Sequence, residues 1–193
     1  MRNLPFLLVL CWLFGQGPAA WAQQWGVRPD GRALQELAPA GTRAVVLFFV
    51  ATDCPVSNRT FPEMRHLRER FAQQAVRVWF VYPNVGETAA GVEDHQRAFD
   101  EGGQALQDPA GTLVRLAQAV ATPEVAVLVP ALGGWRTAYA GRIDDRYVRL
   151  GLERPAATEF FGEDAVAAVL AGKQPRAAKG RPVGCAIMSQ GVR

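Results

Sequence analysis

Residues 44–64 read A-V-V-L-F-F-V-A-T-D-C-P-V-S-N-R-T-F-P-E-M. The apolar run at the start of this stretch is rich in β-branched and aromatic residues, which predicts a strand that is buried on both faces. Cys54 follows the polar pair Thr52-Asp53 and opens a segment with helical spacing. The first N–H groups of a helix lack intrahelical partners, and the helix dipole favours an anion there. The sequence therefore predicts a cysteine with a stabilised thiolate, the form that attacks disulfides and peroxides.

The first 22 residues have the pattern of an export signal. Arg2 precedes an apolar run at residues 4–14, and Ala20-Trp21-Ala22 matches an A-x-A cleavage site. The apolar run is too short to cross a bilayer, which argues against a retained membrane anchor. We therefore expect a signal peptide at residues 1–22, cleavage after Ala22, and a secreted or periplasmic protein with no stable membrane insertion.

The remaining chain has the length and composition of one globular domain. The sequence carries 21 basic and 18 acidic side chains, a near balance that gives no drive toward nucleic acid. Residues 23–172 are predicted to form the domain, and residues 173–193 a basic, solvated tail that contains Cys185. Neither His66 nor His95 has a ligand-like spacing to Cys54, so we expect no metal site and no cofactor.

Strand and helix patterns alternate along the domain, which is the order of an α/β fold. Strands are predicted at residues 44–50 and 76–82, and the helix after the first strand should reach about Gln74, with a kink at Pro62. Near the end of the domain, an apolar run after Thr122-Pro123 and a second run after Gly133-Gly134 predict an antiparallel hairpin. A last helix follows, so the sequence predicts a central mixed sheet flanked by helices.

Together these features resemble the thioredoxin fold. More narrowly, T-D-C-P-V-S-N around Cys54, Thr122-Pro123-Glu124-Val125 and the peptide G-R-I-D-D are similar to segments of exported bacterial redoxins. This group includes TlpA-like thiol-disulfide oxidoreductases and the alkyl hydroperoxide reductase/thiol-specific antioxidant proteins. The resemblance implies a redox-active Cys54 and a cis-proline at Pro123, in a loop that faces this cysteine and binds peptide substrates. Pro62 stands eight residues after Cys54, as in the active-site helix of this group.

The chain departs from both active sites that are usual in this group. The common Cys-x-x-Cys is replaced by Cys54-Pro55-Val56-Ser57, so a hydroxyl stands in place of the second thiol. Asp53 occupies the position of a tryptophan in thioredoxins, and its negative charge should oppose the thiolate. The peroxidase signature P-x-x-x-T-x-x-C is also incomplete, because Leu47 and Ala51 replace its proline and threonine.

Three residues are the candidate catalytic groups. Cys54 is the predicted nucleophile. Cys185 is the other cysteine outside the predicted signal peptide, so it is either a resolving thiol for Cys54 or its permanent disulfide partner. Ser57 either hydrogen-bonds the Cys54 thiolate or caps the first turn of the helix.

The predicted substrate contacts are Thr122, Pro123 and Pro55, as the resemblance implies. The expected partners are protein thiols or disulfides, with peroxide as a further substrate. Three functions stay open at this point. The first is a thiol-disulfide oxidoreductase, the second a thiol peroxidase with an antioxidant role, and the third a non-catalytic binding or scaffold module.

Overall fold

The computed structural model describes residues 24–100 and 102–189. The predicted signal peptide at residues 1–22 lies outside this part of the chain. Within the described ranges, no helix is long and apolar enough to span a bilayer.

Nine strands and four helices follow one another along the described residues. The strands are β1 (Ala44–Phe49), β2 (Val76–Tyr82), β3 (Ala105–Gln107), β4 (Ala121–Thr122), β5 (Glu124–Ala131), β6 (Gly134–Gly141), β7 (Tyr147–Arg149), β8 (Leu152–Glu153) and β9 (Cys185–Ala186). The helices are α1 (Pro55–Arg70), α2 (Ala89–Phe99), α3 (Thr112–Ala117) and α4 (Phe161–Leu170).

A five-stranded mixed sheet forms the centre, in the spatial order β3-β2-β1-β5-β6. Strand β1 pairs in parallel with β2 and antiparallel with β5, and β5 and β6 form the predicted hairpin. Two small sheets lie outside the central one and were not predicted, β4 with β9 and β7 with β8. The prediction of a thioredoxin-like α/β fold with a central mixed sheet, a hairpin and a last helix is confirmed.

Strand β1 is the centre of the core because both of its faces are covered. All six of its residues are fully buried. Phe48 belongs to a cluster that includes side chains of α1, α2 and α4, while Leu47 belongs to a cluster on the opposite face that includes α3. The alternation of side chains along a strand produces this division. The central position of β1 fixes the place at which the chain leaves the sheet and reaches Cys54.

The helix after Cys54 is shorter than its prediction. Pro62 lies inside α1, which continues through it as one helix. The helix ends at Arg70 and not near Gln74. Ala75 has a φ of 55°, a left-handed conformation that no α-helix can contain, and this turn leads directly into β2.

Candidate active site

Cys54 is the N-cap residue of α1 and lies where β1 passes into that helix. Its carbonyl accepts the first hydrogen bond of the helix, from the Asn58 N–H at 3.0 Å. The side chain is fully buried, and its Sγ lies 3.1 Å from the carbonyl oxygen of Thr122. Pro55 occupies the first helical position, where the missing N–H costs nothing. Local sequence thus places the thiol at the positive end of α1 and against the loop that precedes β5.

The pKa of the Cys54 thiol is lowered although the thiol is buried. Burial by itself raises the pKa of a thiol, but hydrogen bonds from Cys185, from the Ser57 N–H and from the Ser57 hydroxyl stabilise the thiolate more strongly. The Ser57 Oγ is buried and has no nitrogen or oxygen partner among the described residues, so its proton is available to the sulfur. Asp53 is exposed to solvent, which screens its charge. Its negative charge therefore opposes the Cys54 thiolate less than the sequence predicted.

Cys185 lies directly beside Cys54, far from it in sequence but packed against it in the fold. It belongs to β9, and its partner in antiparallel pairing is Thr122 of β4. Both cysteines are free thiols in the structure. Burial, the hydrogen bond to Cys54 and the charges of Cys54 and Asp53 raise the pKa of Cys185 to about 12. The two thiols are therefore unequal, since the pKa of Cys54 is lowered and that of Cys185 is raised.

The structure places the other predicted site residues at the same end of α1. Thr122 is fully buried, and the Thr122–Pro123 peptide bond is cis, as the resemblance implied. Ser57 lies in the first turn of the helix, below the sulfur of Cys54. Pro55 is exposed beside them. Cys54, Ser57, Thr122 and Cys185 thus form one cluster with Pro123 adjoining it.

The C-terminal tail departs from its prediction as a solvated segment. Its basic side chains at residues 173–181 are exposed, but residues 184–187 lie against the site. The Ile187 N–H donates to the Val120 carbonyl at 3.1 Å, and the Val85 N–H donates to the Met188 carbonyl at 2.8 Å. The sequence offered one sign of this arrangement, the small residues Gly184 and Ala186 on either side of the cysteine.

Sequence reasoning also missed a buried polar network beneath the start of α1. The Asn58 Oδ1 lies 2.7 Å from His95 Nε2, and His95 Nδ1 lies 2.8 Å from the Tyr82 hydroxyl. Gln96 donates to the same hydroxyl at 2.7 Å. Burial lowers the pKa of His95, so the imidazole is neutral, donates from Nε2 to Asn58 and accepts from Tyr82. The network fixes the side chain of Asn58, which lies one helical turn after Cys54.

Glu124 is a further residue that supports the site without touching the thiols. Its Oε2 accepts hydrogen bonds from the Val120 N–H at 2.8 Å and from the Ala121 N–H at 3.1 Å. Burial raises the pKa of Glu124, and these two hydrogen bonds oppose that effect. The carboxylate therefore holds the backbone of β4, the strand against which Cys185 pairs.

Metal binding has no support from the arrangement of the side chains. In the part of the chain that the structure describes, no group of three or more His, Cys, Asp or Glu residues is placed to hold an ion.

Solved structures share this fold over most of their length. The hypothetical protein SMc02350 from Sinorhizobium meliloti 1021 is 21% identical, with a TM-score of 0.69 over 89% of this chain and 93% of that chain. An uncharacterized conserved protein from Geobacillus kaustophilus is 17% identical, with a TM-score of 0.68 over 89% and 92%. A thiol-disulfide oxidoreductase from Bacteroides fragilis NCTC 9343 is 13% identical, with a TM-score of 0.50 over 62% and 88%. At these identities the likeness establishes the fold alone.

Comparison of the sequence with protein families gives a more specific result. No curated protein matches the sequence. The sequence model of the AhpC/TSA family, in contrast, matches residues 29–139, which is more than half of the chain. This segment contains β1, Cys54, α1 and the cis-proline loop, whereas Cys185 and β9 lie beyond it. The chain therefore belongs to the AhpC/TSA family of thioredoxin-fold redoxins.

Proposed function

We propose that the protein is a thiol-disulfide oxidoreductase in which Cys54 is the nucleophile and Cys185 is the resolving thiol. The observation that carries the proposal is the position of Cys185, which pairs with Thr122 while the Thr122 carbonyl lies 3.1 Å from Cys54 Sγ. The second thiol that the helix lacks at Ser57 is thus supplied by the tail. Cys54 and Cys185 occupy one site although no local motif joins them.

The first step is attack of the Cys54 thiolate on a sulfur of a partner disulfide. A bond forms between Cys54 and one partner sulfur, the partner's own S–S bond breaks, and the second partner sulfur leaves as a thiolate that takes up a proton. In the next step Cys185, having lost its proton, attacks the sulfur of Cys54. The bond between Cys54 and the partner breaks, and the released partner sulfur takes up the proton that Cys185 lost, so the partner leaves with two thiols. The two electrons that reduce the partner come from the Cys54 and Cys185 thiols, which are oxidised to a disulfide.

The unequal thiols set the order of these steps. Cys185 is a poor nucleophile in the reduced protein because burial first, and then the hydrogen bond to Cys54 and the charge on that sulfur, raise its pKa to about 12. Once Cys54 is joined to a partner, it carries no charge and no longer holds the Cys185 proton. The pKa of Cys185 then falls, so this thiol becomes reactive only when there is a mixed disulfide to resolve.

The proposed partners are therefore proteins with exposed disulfides or thiols. We extend the proposal to the compartment, since a signal peptide at residues 1–22 would deliver the cysteine pair to a place where disulfides persist. In the proposed organisation, residues 23–172 form the redoxin domain and residues 173–193 are a tail that contributes Cys185 to the site.

Reaction with oxidised glutathione tests the proposal and separates it from its alternatives. We expect the reduced wild-type protein to form the Cys54–Cys185 disulfide and to release two glutathione molecules. The Cys185→Ser variant should stop at a stable glutathione adduct on Cys54, which intact-protein mass spectrometry detects. The double variant Cys54→Ser/Cys185→Ser measures the background, which is any glutathione attachment that does not involve these two cysteines.

Two other outcomes would overturn the proposal. Rapid consumption of hydrogen peroxide with little reaction toward glutathione disulfide would assign the protein to the peroxidases, with Cys54 passing through a sulfenic acid that condenses with Cys185. No reaction with either oxidant would leave a binding or scaffold role.

A further inference from the structure

Residues 184–187 lie on the site in the manner of a bound peptide. Cys185 and Ala186 form an antiparallel pair with Thr122 and Ala121, and the Ile187 N–H continues the pairing to the Val120 carbonyl at 3.1 Å. Among the described residues, strand β4 pairs with no strand other than β9 of the tail. The tail thereby covers Cys54, whose side chain is 0% exposed.

Gly184 is the point at which the tail and the loop approach most closely. A Cβ on this residue would lie 2.0 Å from the Thr122 carbonyl oxygen and 3.0 Å from Cδ of Pro123. The φ of Gly184 lies outside the left-handed region, so its conformation alone would admit other residues. The requirement for glycine comes from the close approach of the two backbones. Any strand that takes the place of the tail in this register meets the same carbonyl.

The tail is held by few contacts, which makes its release feasible. Strand β9 has two residues, and the side chains of Ala186 and Met188 are exposed. Beyond β9, the Asn84 Oδ1 accepts from the Met188 N–H at 2.8 Å and forms a second anchor. Segments with short pairing and little buried apolar surface open at a small fraction of the cost of global unfolding.

We propose that residues 184–187 are a self-docked strand that closes the Cys54 site until a partner strand with a glycine directly before its cysteine displaces it. The inference rests on the proposed function, because the partner's cysteine takes the place of Cys185 and meets Cys54. After the mixed disulfide forms, the tail returns to the edge of β4 and brings Cys185 back to Cys54. The tail thus acts as a competitor that sets which peptides reach the thiol.

Alkylation of Cys54 by iodoacetamide measures the docking of the tail. In the Cys185→Ser protein, which has one thiol in the described residues, we expect slow modification because the tail covers the site. Adding Gly184→Ala should raise the rate about tenfold or more, since local opening limits reaction at a buried thiol. Ala186→Ser in the same background is the matched control, because it adds one atom to an exposed residue of the same strand.

A second variant and a peptide competition keep the proposal testable if Gly184→Ala fails to fold. Asn84→Ala removes one of the two hydrogen bonds that hold Met188, leaving the one from the Val85 N–H, and should also raise the rate of alkylation. A synthetic peptide of residues 183–187 carrying Cys185→Ser should slow the alkylation of Cys54 in the opened variants. The same peptide that also carries Gly184→Ala should give no protection.

An unchanged alkylation rate in both opened variants would overturn the proposal, and so would equal protection by the two peptides. The assay follows exposure and peptide binding and requires no disulfide exchange. If glutathione disulfide fails to react while the glycine-containing peptide protects Cys54, the proposed function is wrong and the docking of the tail strand stands.

Discussion

Replacing Ser57 by alanine should remove one donor from the Cys54 thiolate and leave the fold intact. The Ser57 hydroxyl is fully buried and is one of several groups that lower the pKa of Cys54, together with Cys185 and the Ser57 N–H. A hydrogen bond to a charged group contributes about 1.5–3 kcal/mol, and the lower end applies because the other donors remain. A loss of about 1.5 kcal/mol lowers the thiolate population about tenfold when the pH is below the pKa of Cys54.

The assay is the pH dependence of Cys54 alkylation in the Cys185→Ser background, with and without Ser57→Ala. We expect the rate below the pKa to fall about tenfold and the rate at high pH, where the thiol is fully ionised, to stay the same. Thr60→Val is the matched control. It removes another buried hydroxyl of α1, which donates to the Val56 carbonyl at 2.8 Å and not to Cys54. A rate profile that is unchanged by Ser57→Ala, or shifted equally by Thr60→Val, would refute the reasoning.

Three further predictions concern the groups that support the site, and urea unfolding measures each of them. Glu124→Ala should cost about 1–3 kcal/mol because it leaves the buried Ala121 N–H and the partly buried Val120 N–H unpaired, whereas Glu124→Gln keeps an acceptor and should cost much less; equal losses would contradict this role. Phe48→Ala should cost about 3–5 kcal/mol because Phe48 is fully buried in β1, and a loss below about 1 kcal/mol would refute its place in the core. Burial lowers the pKa of His95 in the folded protein, so below about pH 6.5 the unfolded chain binds a proton that the folded chain does not. Stability should therefore fall as the pH drops through this range, and His95→Gln should reduce that dependence; an unchanged dependence would contradict it.

The sequence predicted correctly those parts of the fold that are determined by residues close together in the chain. The apolar run of β1 and Cys54 at the start of α1 follow each other directly, so a strand and a helix start can be recognised from one continuous stretch. The hairpin of β5 and β6 is similar, because a tight glycine turn joins its two strands. In each case the period of the side chains and a local turn determine the structure.

The docking of the tail could not be predicted because the residues that determine it are far apart in the sequence. Strand β9 has two residues, too few to show a period, and its partner β4 has two as well. The contact between Gly184 and the Thr122 carbonyl depends on how α4 and the preceding strands return the chain to the site. The basic residues of the tail indicated a solvated segment, and at residues 173–181 that composition describes the side chains correctly, but it does not predict the path of the backbone.

The network below α1 was missed for a related reason. Asn58 and His95 lie on different helices, and each by itself has the sequence context of an exposed polar residue. They meet because α2 packs beside α1 and Tyr82 at the end of β2 supplies a third partner. Hydrogen bonds across elements of this kind require the tertiary arrangement before they can be assigned.

Cys54 and Cys185 are proposed to be a redox couple that cycles between two thiols and a disulfide. The redox state of these two thiols in the purified protein tests this most directly. Differential alkylation and mass spectrometry should be applied after incubation in buffers that contain reduced and oxidised glutathione in different ratios. We expect a Cys54–Cys185 disulfide that opens in mild reductant, forms again in oxidant and is absent from Cys185→Ser. A bridge that mild reductant does not open, or two thiols that remain free in oxidant, would contradict it.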